Sequence, residues 1–431
     1  MRMMKDSGIE WIGEIPESWV IRRIKTSFEI VAGATPKSGE ASYWDGDIPW
    51  ITPADYTTND IYVSAGHKNI TQEGLDSCAT SLIQAGSIIF SKRAPVGLVA
   101  INRNPLCTNQ GCLSCIPRDS VDVKYHYYAI SIYSEQFDLF ASGTTFKEIS
   151  ADVFANFKLP YPDYNTQKQI AAFLDIKCAE IDALIAAKEK TNALLRERRQ
   201  SIIYEAVTKG LDPTVPMKDS GVEWIGEIPE GWSLWRMKHL AAEPLQYGAN
   251  ATGIEYNSDL PRYVRITDIT ADRMLSEDGK QSLPEVIARD YMLKDGDILF
   301  ARSGATSGKS FYYDEAFGNC CFAGYLIRFC PDSQKAISKF LYYYTLTRAY
   351  EQWTQQIFIQ ATIQNISAEK YENLVFAIPP TLEKQMEIVT FLDQECSALE
   401  RSIQHNESII LKLKEYRQSL IFEAVTGKIT I

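Results

Sequence analysis

The feature that most constrains this chain is an internal repeat of roughly 210 residues. Residues 4–25 return as residues 217–238, with sixteen of the 22 positions identical. A second match closes the repeated unit, because the segment that begins at Gln167 aligns without gaps to the segment that begins at Gln385. A period of 20–50 residues would indicate a solenoid, whereas a unit of this length indicates a whole domain with an appendage. One module is therefore used twice, which suits a protein that grips a two-part target.

Each copy of the module has a part rich in short β-like runs, followed by a helical part. GSIIF (86–90) and GDILF (296–300) occupy matching places, and stretches of this kind are separated by Gly, Pro, Asn and Asp. Such a pattern predicts many short strands. Prolines stand just before both helical parts, where they can precede or open a helix. We therefore predict two similar domains of short strands and helices, and two long helices. The predicted bounds are residues 1–165 and 211–380 for the domains, and 166–210 and 381–431 for the helices.

In both predicted helices, apolar or small residues recur at a spacing of three and four over about four heptads, which is typical of a coiled-coil seam. The apolar seam residues are Leu174, Ile181, Ile185, Leu195, Ile202, Leu392, Leu399, Ile403, Ile410, Leu413 and Leu420. Polar residues such as Asn192 and Asn406 interrupt the seam, but they can fix its register. The alternative is two ordinary amphipathic helices, each packed on its own domain. The length of each helix, roughly 43 residues, favours the coiled coil.

The connection between the two copies decides how the helices pair. The segment between Thr208 and Met217 is too short to return the chain for a parallel arrangement. We therefore predict an α+β fold in which the two long helices pair as an antiparallel coiled coil with pseudo-twofold symmetry. The end of each helix would then lie against the start of one domain.

Composition limits the classes of protein to consider. The net charge of −11 argues mildly against general nucleic-acid binding, so any DNA site must be a local patch. Nine cysteines in a chain without secretory features indicate reduced thiols and a cytoplasmic location. The sequence has no apolar run of eighteen residues and a polar amino terminus, so neither a membrane span nor a leader is expected.

SGATSGKS, at residues 303–310, resembles a phosphate-binding P-loop. Ser303 stands where that motif has its first glycine, and the following SFYYDEAF predicts a strand instead of the required helix. The equivalent place in the first copy, KRAPVGLVA, has no Lys-Ser pair. We therefore expect no nucleotide site here. A loop flanked by Arg302 and Lys309 still suits contact with a sugar–phosphate backbone.

Cys107, Cys112 and Cys115 have the spacing of three iron–sulfur ligands, but a fourth ligand is missing. Small buried residues in a strand pair are the better interpretation. The four histidines form neither a metal-ligand spacing nor a catalytic pair. No methyltransferase tetrapeptide and no nuclease-type carboxylate cluster occurs, so we predict no catalytic and no metal-binding residues.

Loops at matching positions of the two copies offer side chains that can recognise DNA bases or phosphates. Their polar character is kept while the side chains differ, which suits two domains that recognise two sequences. The alternative for any one of them is an ordinary surface residue. The predicted DNA-binding residues are Lys92, Arg93, Thr108, Asn109, Gln110, Thr145, Lys147, Arg265, Asp268, Arg302, Ser303, Thr306, Lys309, Thr362 and Gln364.

The chain resembles the DNA-specificity subunit of type I restriction–modification systems. The resemblance rests on the two SG(I/V)EWIGEIPE openings, GDIPWITPADY, GDILFARSGATSGKS and the two helices that end in EAVT, and it covers essentially the whole chain. It implies a non-catalytic subunit whose two target-recognition domains each recognise one half of a bipartite double-stranded DNA site. The helices would form a spacer on which two DNA adenine methyltransferase subunits assemble, joined by ATP-driven restriction subunits. S-adenosylmethionine, ATP and Mg²⁺ would bind those partners, with no cofactor on this chain and no contact with a membrane.

Two other classes make different predictions. A coiled-coil structural adaptor, whose globular ends bind proteins, would show no salt-dependent DNA binding. A P-loop ATPase would bind nucleotide and lose that binding in the variant Lys309→Ala. Within the DNA-binding class, a methylation-based system without a restriction subunit is a second interpretation.

Overall fold

The chain divides into two compact units. A computed structural model describes residues 3–57, 61–143, 147–270, 272–304, 306–359 and 365–431. Unit 1 comprises Met1–Lys188 and Ser408–Ile431, and unit 2 comprises Glu189–Glu407. The division falls inside both long helices, so it does not test the four predicted segments, which stay a prediction.

The first copy of the module forms short strands and helices, followed by one long helix. Its elements are β1 (Met4–Asp6), β2 (Glu14–Pro16), β3 (Val20–Arg23), α1 (Ile24–Ser27), β4 (Phe28–Ala32), β5 (Trp44–Ile51), β6 (Tyr62–Val63), β7 (Lys68–Ile70), α2 (Gln72–Asp76), β8 (Ile88–Ser91), β9 (Val99–Asn102), β10 (Cys107–Thr108), β11 (Cys112–Pro117), α3 (Val123–Ser131), α4 (Ser134–Phe140), α5 (Ala151–Asn156), β12 (Lys158–Tyr161) and α6 (Tyr164–Lys209). The strand orders are β4-β11-β8-β9-β6, β10-β5-β7, β12-β3 and β1-β2.

Strand β8 explains why the GSIIF run is continuously apolar. Ile88 and Phe90 face the main core of unit 1, where the ring of Phe90 stacks on that of Phe154 at 4.1 Å. Ile89 faces the other side and belongs to a second cluster with Ile51 and Tyr56. A strand that is covered on both faces needs apolar side chains on both.

The second copy repeats this plan. Its elements are β13 (Met217–Asp219), β14 (Glu227–Pro229), β15 (Ser233–Arg236), α7 (Met237–Leu240), β16 (Gln246–Tyr247), β17 (Ile254–Glu255), β18 (Arg262–Val264), β19 (Gln281–Ser282), α8 (Glu285–Ala288), β20 (Ile298–Ala301), β21 (Ser310–Tyr312), β22 (Cys320–Phe322), β23 (Leu326–Phe329), α9 (Ser338–Tyr344), α10 (Arg348–Ile359), α11 (Ala368–Glu372), β24 (Val375–Ile378) and α12 (Leu382–Val425). The strand orders are β16-β23-β20-β21, β17-β19-β18-β22, β15-β24 and β13-β14. Strand β20 is again covered on both faces, with Phe300 and Leu299 in different clusters.

Segments of α6 and α12 pack together within each unit. In unit 1, Arg417 forms an ion pair with Asp182 across the two helices, with Nε and Oδ1 3.0 Å apart. In unit 2, the buried amide of Asn406 donates to Oδ1 of Asn192 at 2.8 Å. All the predicted apolar seam residues are buried or half-buried. The α+β class and the pairing of the long helices are therefore confirmed.

The direction of pairing follows from the contacts within unit 2. Asn192 pairs with Asn406, whereas Arg199, further along α6, pairs with Glu400, which is earlier in α12. Residue numbers rise in one helix as they fall in the other, so these segments are antiparallel, as predicted.

The ends of the helices pack where the repeat predicts. In unit 1 the hydroxyl of Tyr125 donates to the carbonyl of Val425, in the last turn of α12, at 3.1 Å. In unit 2 Gly210, just after α6, lies against the ring of Trp232. Trp19 occupies the corresponding place in unit 1 and contacts Gly427. Across the part of the chain that the structure describes, no helix combines the length and apolar character needed to cross a bilayer.

Candidate nucleic-acid interface

In unit 1, backbone hydrogen bonds join several loops at the end of β8. The N–H of Lys92 donates to the carbonyl of Gly111, and the N–H of Ile149 donates to the carbonyl of Lys92, both at 2.9 Å. The N–H of Ala34 donates to the carbonyl of Thr108 at 3.0 Å. We call residues 33–36, 92–93, 108–111 and 147–149 loop cluster 1.

Unit 2 has the same arrangement at the end of β20. The N–H of Arg302 donates to the carbonyl of Tyr325 at 3.0 Å, and the N–H of Ile366 donates to the carbonyl of Arg302 at 2.8 Å. The N–H of Ala249 donates to the carbonyl of Phe322 at 2.9 Å. We call residues 248–251, 302–304, 306–309, 322–325 and 365–366 loop cluster 2. The matching bonds make Lys92 equivalent to Arg302, and they make Gly111 equivalent to Tyr325.

Two equivalent glycines allow this close packing of loops. A Cβ on Gly33 would lie 2.3 Å from the carbonyl oxygens of Thr108 and Asn109. A Cβ on Gly248 would lie 2.4 Å from the carbonyl oxygens of Phe322 and Ala323. Only glycine lets the facing backbone approach this closely.

In loop cluster 1, one carboxylate forms ion pairs with two cations. Lys92 and Arg93 both pair with Glu148 at 2.7 Å. Burial acts to raise the pKa of Glu148, but the hydrogen bonds from Lys92 and Arg93 outweigh it and hold the pKa below its ordinary value. Lys147 pairs with Asp138. Lys92, Arg93 and Lys147, three of the cations that were predicted to contact DNA, are therefore engaged within the protein.

In the Thr108–Gln110 segment, folding buries one predicted side chain and engages polar atoms of the other two. Thr108 is buried at the end of β10. The side-chain oxygen of Asn109 accepts from the N–H of Gly111 at 2.9 Å, which closes the turn. Gln110 is exposed, and its Oε1 accepts a hydrogen bond from the hydroxyl of Thr35. Gln110 is therefore the member whose side chain reaches the surface, although its Oε1 is already engaged by Thr35.

Arg265 and Asp268 engage each other. The guanidinium of Arg265 donates to both carboxylate oxygens of Asp268, from Nε at 3.0 Å and from Nη2 at 2.7 Å. The N–H of Arg265 also donates to Asp268, at 2.8 Å. In unit 1 the N–H of Thr52 donates to Asp55 in the same way, at 2.7 Å. Both carboxylates cap a 3₁₀ turn, a structural role that the two aligned sequences had not indicated. The predicted DNA contact of Arg265 and Asp268 stays a prediction.

The loop at residues 303–309 does not have the local structure of a P-loop. Lys309 is followed by strand β21, as the sequence predicted, whereas a P-loop opens a helix. The Nζ of Lys309 donates to the carbonyl of Ile269 at 3.3 Å. Burial, and then the charge of Arg273, lower the pKa of Lys309. Ser303 is half-buried and Thr306 is exposed.

Three predicted residues, Thr145, Thr362 and Gln364, lie outside the described residues. Two residues that sequence reasoning missed are tyrosines of unit 2. The side chain of Tyr325 is 62% exposed in loop cluster 2, and that of Tyr247 is 39% exposed beside it. Aligning Gly248 with Gly33 would have placed Tyr247 next to the cluster, but no sequence signal marks the exposure of a tyrosine.

The three cysteines with ligand-like spacing are buried in strands. Cys107 belongs to β10, while Cys112 and Cys115 belong to β11. Burial raises the pKa of Cys107 to about 11 and, despite a hydrogen bond with Tyr56, that of Cys112 to about 12. Within the described ranges, no group of three His, Cys, Asp or Glu side chains is arranged to hold a metal ion.

The two loop clusters are thus related but distinct surfaces, with matching backbone bonds and different side chains. A family model described as the type I restriction modification DNA specificity domain matches residues 16–194 and 274–410. The chain belongs to this family.

Similar proteins cover nearly the whole chain. The type I restriction enzyme MjaIX specificity subunit of Methanocaldococcus jannaschii is 29% identical over 435 residues, which are 97% of this chain and 95% of that protein. The EcoKI specificity subunit of Escherichia coli is 21% identical, over 97% of this chain and 90% of that protein.

Among solved structures, a chain from a study of complex assembly and conformational transition in a type I R-M system aligns with a TM-score of 0.73. It is 15% identical, over 96% of this chain and 99% of that chain. The HsdS subunit from Thermoanaerobacter tengcongensis aligns with a TM-score of 0.51 and 16% identity, over 96% and 98% of the two chains. These likenesses show a shared fold.

Proposed function

We propose that this chain is the DNA-recognition subunit of a type I restriction–modification complex and has no catalytic role of its own. Each loop cluster recognises one half of a bipartite double-stranded target. The observation that carries this proposal is the pair of clusters, whose backbone hydrogen bonds match while their exposed side chains differ. A scaffold that is kept while its side chains vary suits recognition of two different sequences.

The side chains available in the clusters have the chemistry that base recognition needs. An exposed amide such as that of Gln110 can pair with adenine, and a guanidinium such as that of Arg302 can pair with guanine. Residues whose polar groups are already engaged, such as Asn109 and Arg265, hold the loops in place. Loop positions with free donors are therefore the ones that determine the sequence recognised.

The partners in this proposal follow from what the two copies share. Residues 4–25 and 217–238 are nearly identical, in contrast to the loop clusters. Surfaces that are alike in both copies suit two copies of one partner, which we propose to be a DNA adenine methyltransferase subunit. Restriction subunits complete the complex, and S-adenosylmethionine, ATP and Mg²⁺ bind these partners.

The test uses the complex of this chain with its methyltransferase subunit. Methylated adenines are mapped by sequencing in DNA from cells that carry the complex, and residues 26–158 are then exchanged for those of a relative. We expect a bipartite motif of which the exchange alters one half. A hybrid that assembles and methylates but changes both halves would contradict the proposal.

A separate measurement addresses the adaptor alternative. DNA binding of the complex should weaken linearly with the logarithm of salt concentration, because phosphate contacts release counterions. An adaptor that binds only proteins would leave the DNA affinity of the methyltransferase subunit, and its salt dependence, the same with and without this chain.

A further inference from the structure

Loop cluster 2 contains an arginine whose charge no neighbouring carboxylate balances. Among the described residues, none forms an ion pair or a hydrogen bond with the guanidinium of Arg302, and its Nε is buried without a partner. In loop cluster 1, by contrast, Lys92 and Arg93 are both paired with Glu148. Buried polar groups are normally hydrogen-bonded, so an unpaired one at a loop cluster points to a ligand.

The guanidinium of Arg302 is held by an aromatic ring. It lies 4.8 Å from the ring centroid of Tyr247. That tyrosine is itself fixed, because its hydroxyl accepts the N–H of Ala368 at 2.9 Å. Stacking on a fixed ring limits the orientations of the guanidinium, so its planar set of donors is directed before any ligand binds.

The place of Arg302 in the cluster favours a base over a phosphate as its ligand. Its backbone is bonded on both sides, to Tyr325 and to Ile366, so Arg302 belongs to the middle segment of the cluster. On the adjacent segment the side-chain oxygen of Asn365 is also buried without a partner. An unpaired donor and an unpaired acceptor on neighbouring segments match a G·C pair, in which guanine presents acceptors and cytosine an amino donor, whereas a phosphate offers acceptors only.

We propose that Arg302, positioned by Tyr247, recognises a guanine in the half-site bound by unit 2. The two acceptors of guanine in the major groove, O6 and N7, match the paired donors of a guanidinium. The proposal rests on the proposed function and adds to it the identity of one base that is recognised. Tyr247 is a positioning residue, since it acts through Arg302.

The experiment compares methylation motifs produced by the complex with different forms of the full chain. The half-site of unit 2 is identified as the half that stays unchanged when residues 26–158 are exchanged, and we expect it to contain a guanine. Arg302→Lys keeps the charge and removes the paired donors. It should lower the discrimination between guanine and the other bases at that one position by roughly ten- to a hundred-fold, which is the contribution of one bidentate contact.

Tyr247 provides a second and independent test. Tyr247→Phe keeps the ring but loses the hydroxyl that accepts the N–H of Ala368, so it should relax the position contacted by Arg302 less than Tyr247→Ala does. The matched control is Lys92→Ala, at the equivalent position of unit 1, which should leave the half-site of unit 2 unchanged. Should Arg302→Ala fail to assemble, the lysine variant still decides.

Three results would overturn the inference: a half-site of unit 2 without guanine, an unchanged motif in Arg302→Lys, or a change confined to the other half-site. An unchanged motif would mean that Arg302 contacts phosphate only. If the unmodified complex methylates no bipartite motif at all, the proposed function itself fails, and that outcome is distinct from the other three.

Discussion

The two loop clusters share their backbone hydrogen bonds and differ in how they treat charge. In cluster 1, Glu148 pairs with Lys92 and Arg93. Cluster 2 has Asn365 at the equivalent position, and within the part of the chain that the structure describes no carboxylate pairs with Arg302. The bridges between Arg93 and Glu148 and between Ser303 and Asn365 show that these positions correspond. Glycines and backbone bonds therefore fix the positions of the loops in both clusters. The exchange of Glu148 for Asn365 decides whether a carboxylate pairs with the cations of the cluster.

The largest expected effect is on the close packing that both clusters share. Gly33→Ala and Gly248→Ala each place a methyl group against facing carbonyl oxygens and should destabilise the protein by about 1–3 kcal/mol. Each should also impair recognition of its own half-site. Thermal unfolding and methylation motifs measure the two effects.

Matched controls for these substitutions are available in the same units. Gly39→Ala and Gly231→Ala add the same methyl group where nothing lies within 4 Å. They should change neither stability nor motif. If Gly33→Ala and Gly39→Ala behave alike, close approach is not the reason for glycine at position 33.

The second prediction concerns the hydrogen bond between Asn192 and Asn406, a contact between the long helices in unit 2. Asn192→Ala leaves a buried amide of Asn406 without its 2.8 Å partner and should destabilise the protein by about 1–3 kcal/mol. The shift of 218 residues that aligns the two helices makes Ile410 equivalent to Asn192, so unit 1 has no corresponding pair of asparagines. Replacing both Asn192 and Asn406 by leucine should recover stability. A double variant less stable than Asn192→Ala would contradict this account.

The third prediction tests the charge difference directly. Glu148→Gln frees Lys92 and Arg93, and the slope of log affinity for DNA against log salt should steepen by about one to two. Asn365→Glu adds a carboxylate to cluster 2 and should make the slope shallower. Slopes that do not move in opposite directions would show that these positions do not control the available charge.

The same ion pairs give a stability effect with a defined pH dependence. Because the folded protein holds the pKa of Glu148 below its ordinary value of 4.5, the pairs contribute stability above that pH. The contribution is lost as the pH falls through the lower pKa of the folded state. Glu148→Gln should therefore cost less than about 1 kcal/mol at pH 7, and the difference should vanish in strong acid. Unfolding in denaturant at pH 7 and in strong acid measures the free energy of unfolding of the original protein and of the variant.

The smallest effect concerns the cysteines, for which the two units should behave alike. Burial raises the pKa of Cys107 and Cys320 to about 11, and that of Cys112 and Cys321 to about 12. The folded protein should therefore resist alkylation at these four thiols at pH 8, and the unfolded protein should react at all of them. Mass spectrometry after iodoacetamide treatment measures this. Rapid labelling of one unit alone would show that its strands open.

The sequence predicted the elements that repeat or that have a period. The match of GSIIF (86–90) with GDILF (296–300) placed Phe90 and Phe300 at equivalent positions, and both lie in the core of their unit. The spacing of apolar residues identified the seam of the long helices, in which Leu174 and Leu392 are fully buried. These features could be predicted because period and repetition are properties of the sequence itself.

The candidate site was predicted less completely, because exposure and pairing depend on distant residues. Thr108 looked like a polar loop residue but is buried at the end of a strand. Lys92 and Arg93 looked like free cations, yet Glu148, which is 55 residues from Arg93, forms ion pairs with both. Nothing in the sequence marked Tyr247 and Tyr325 as exposed.

The amino-acid sequence alone establishes that a single module occurs twice, that it ends in a long helix, and that equivalent loops carry different polar residues. Which of those residues are available to a ligand depends on the folded structure. The physical reason is that local patterns follow from the neighbours of a residue along the chain. The availability of a charge instead depends on whether folding brings an opposite charge to it, as with Glu148, or a fixed aromatic ring, as with Tyr247 beside Arg302.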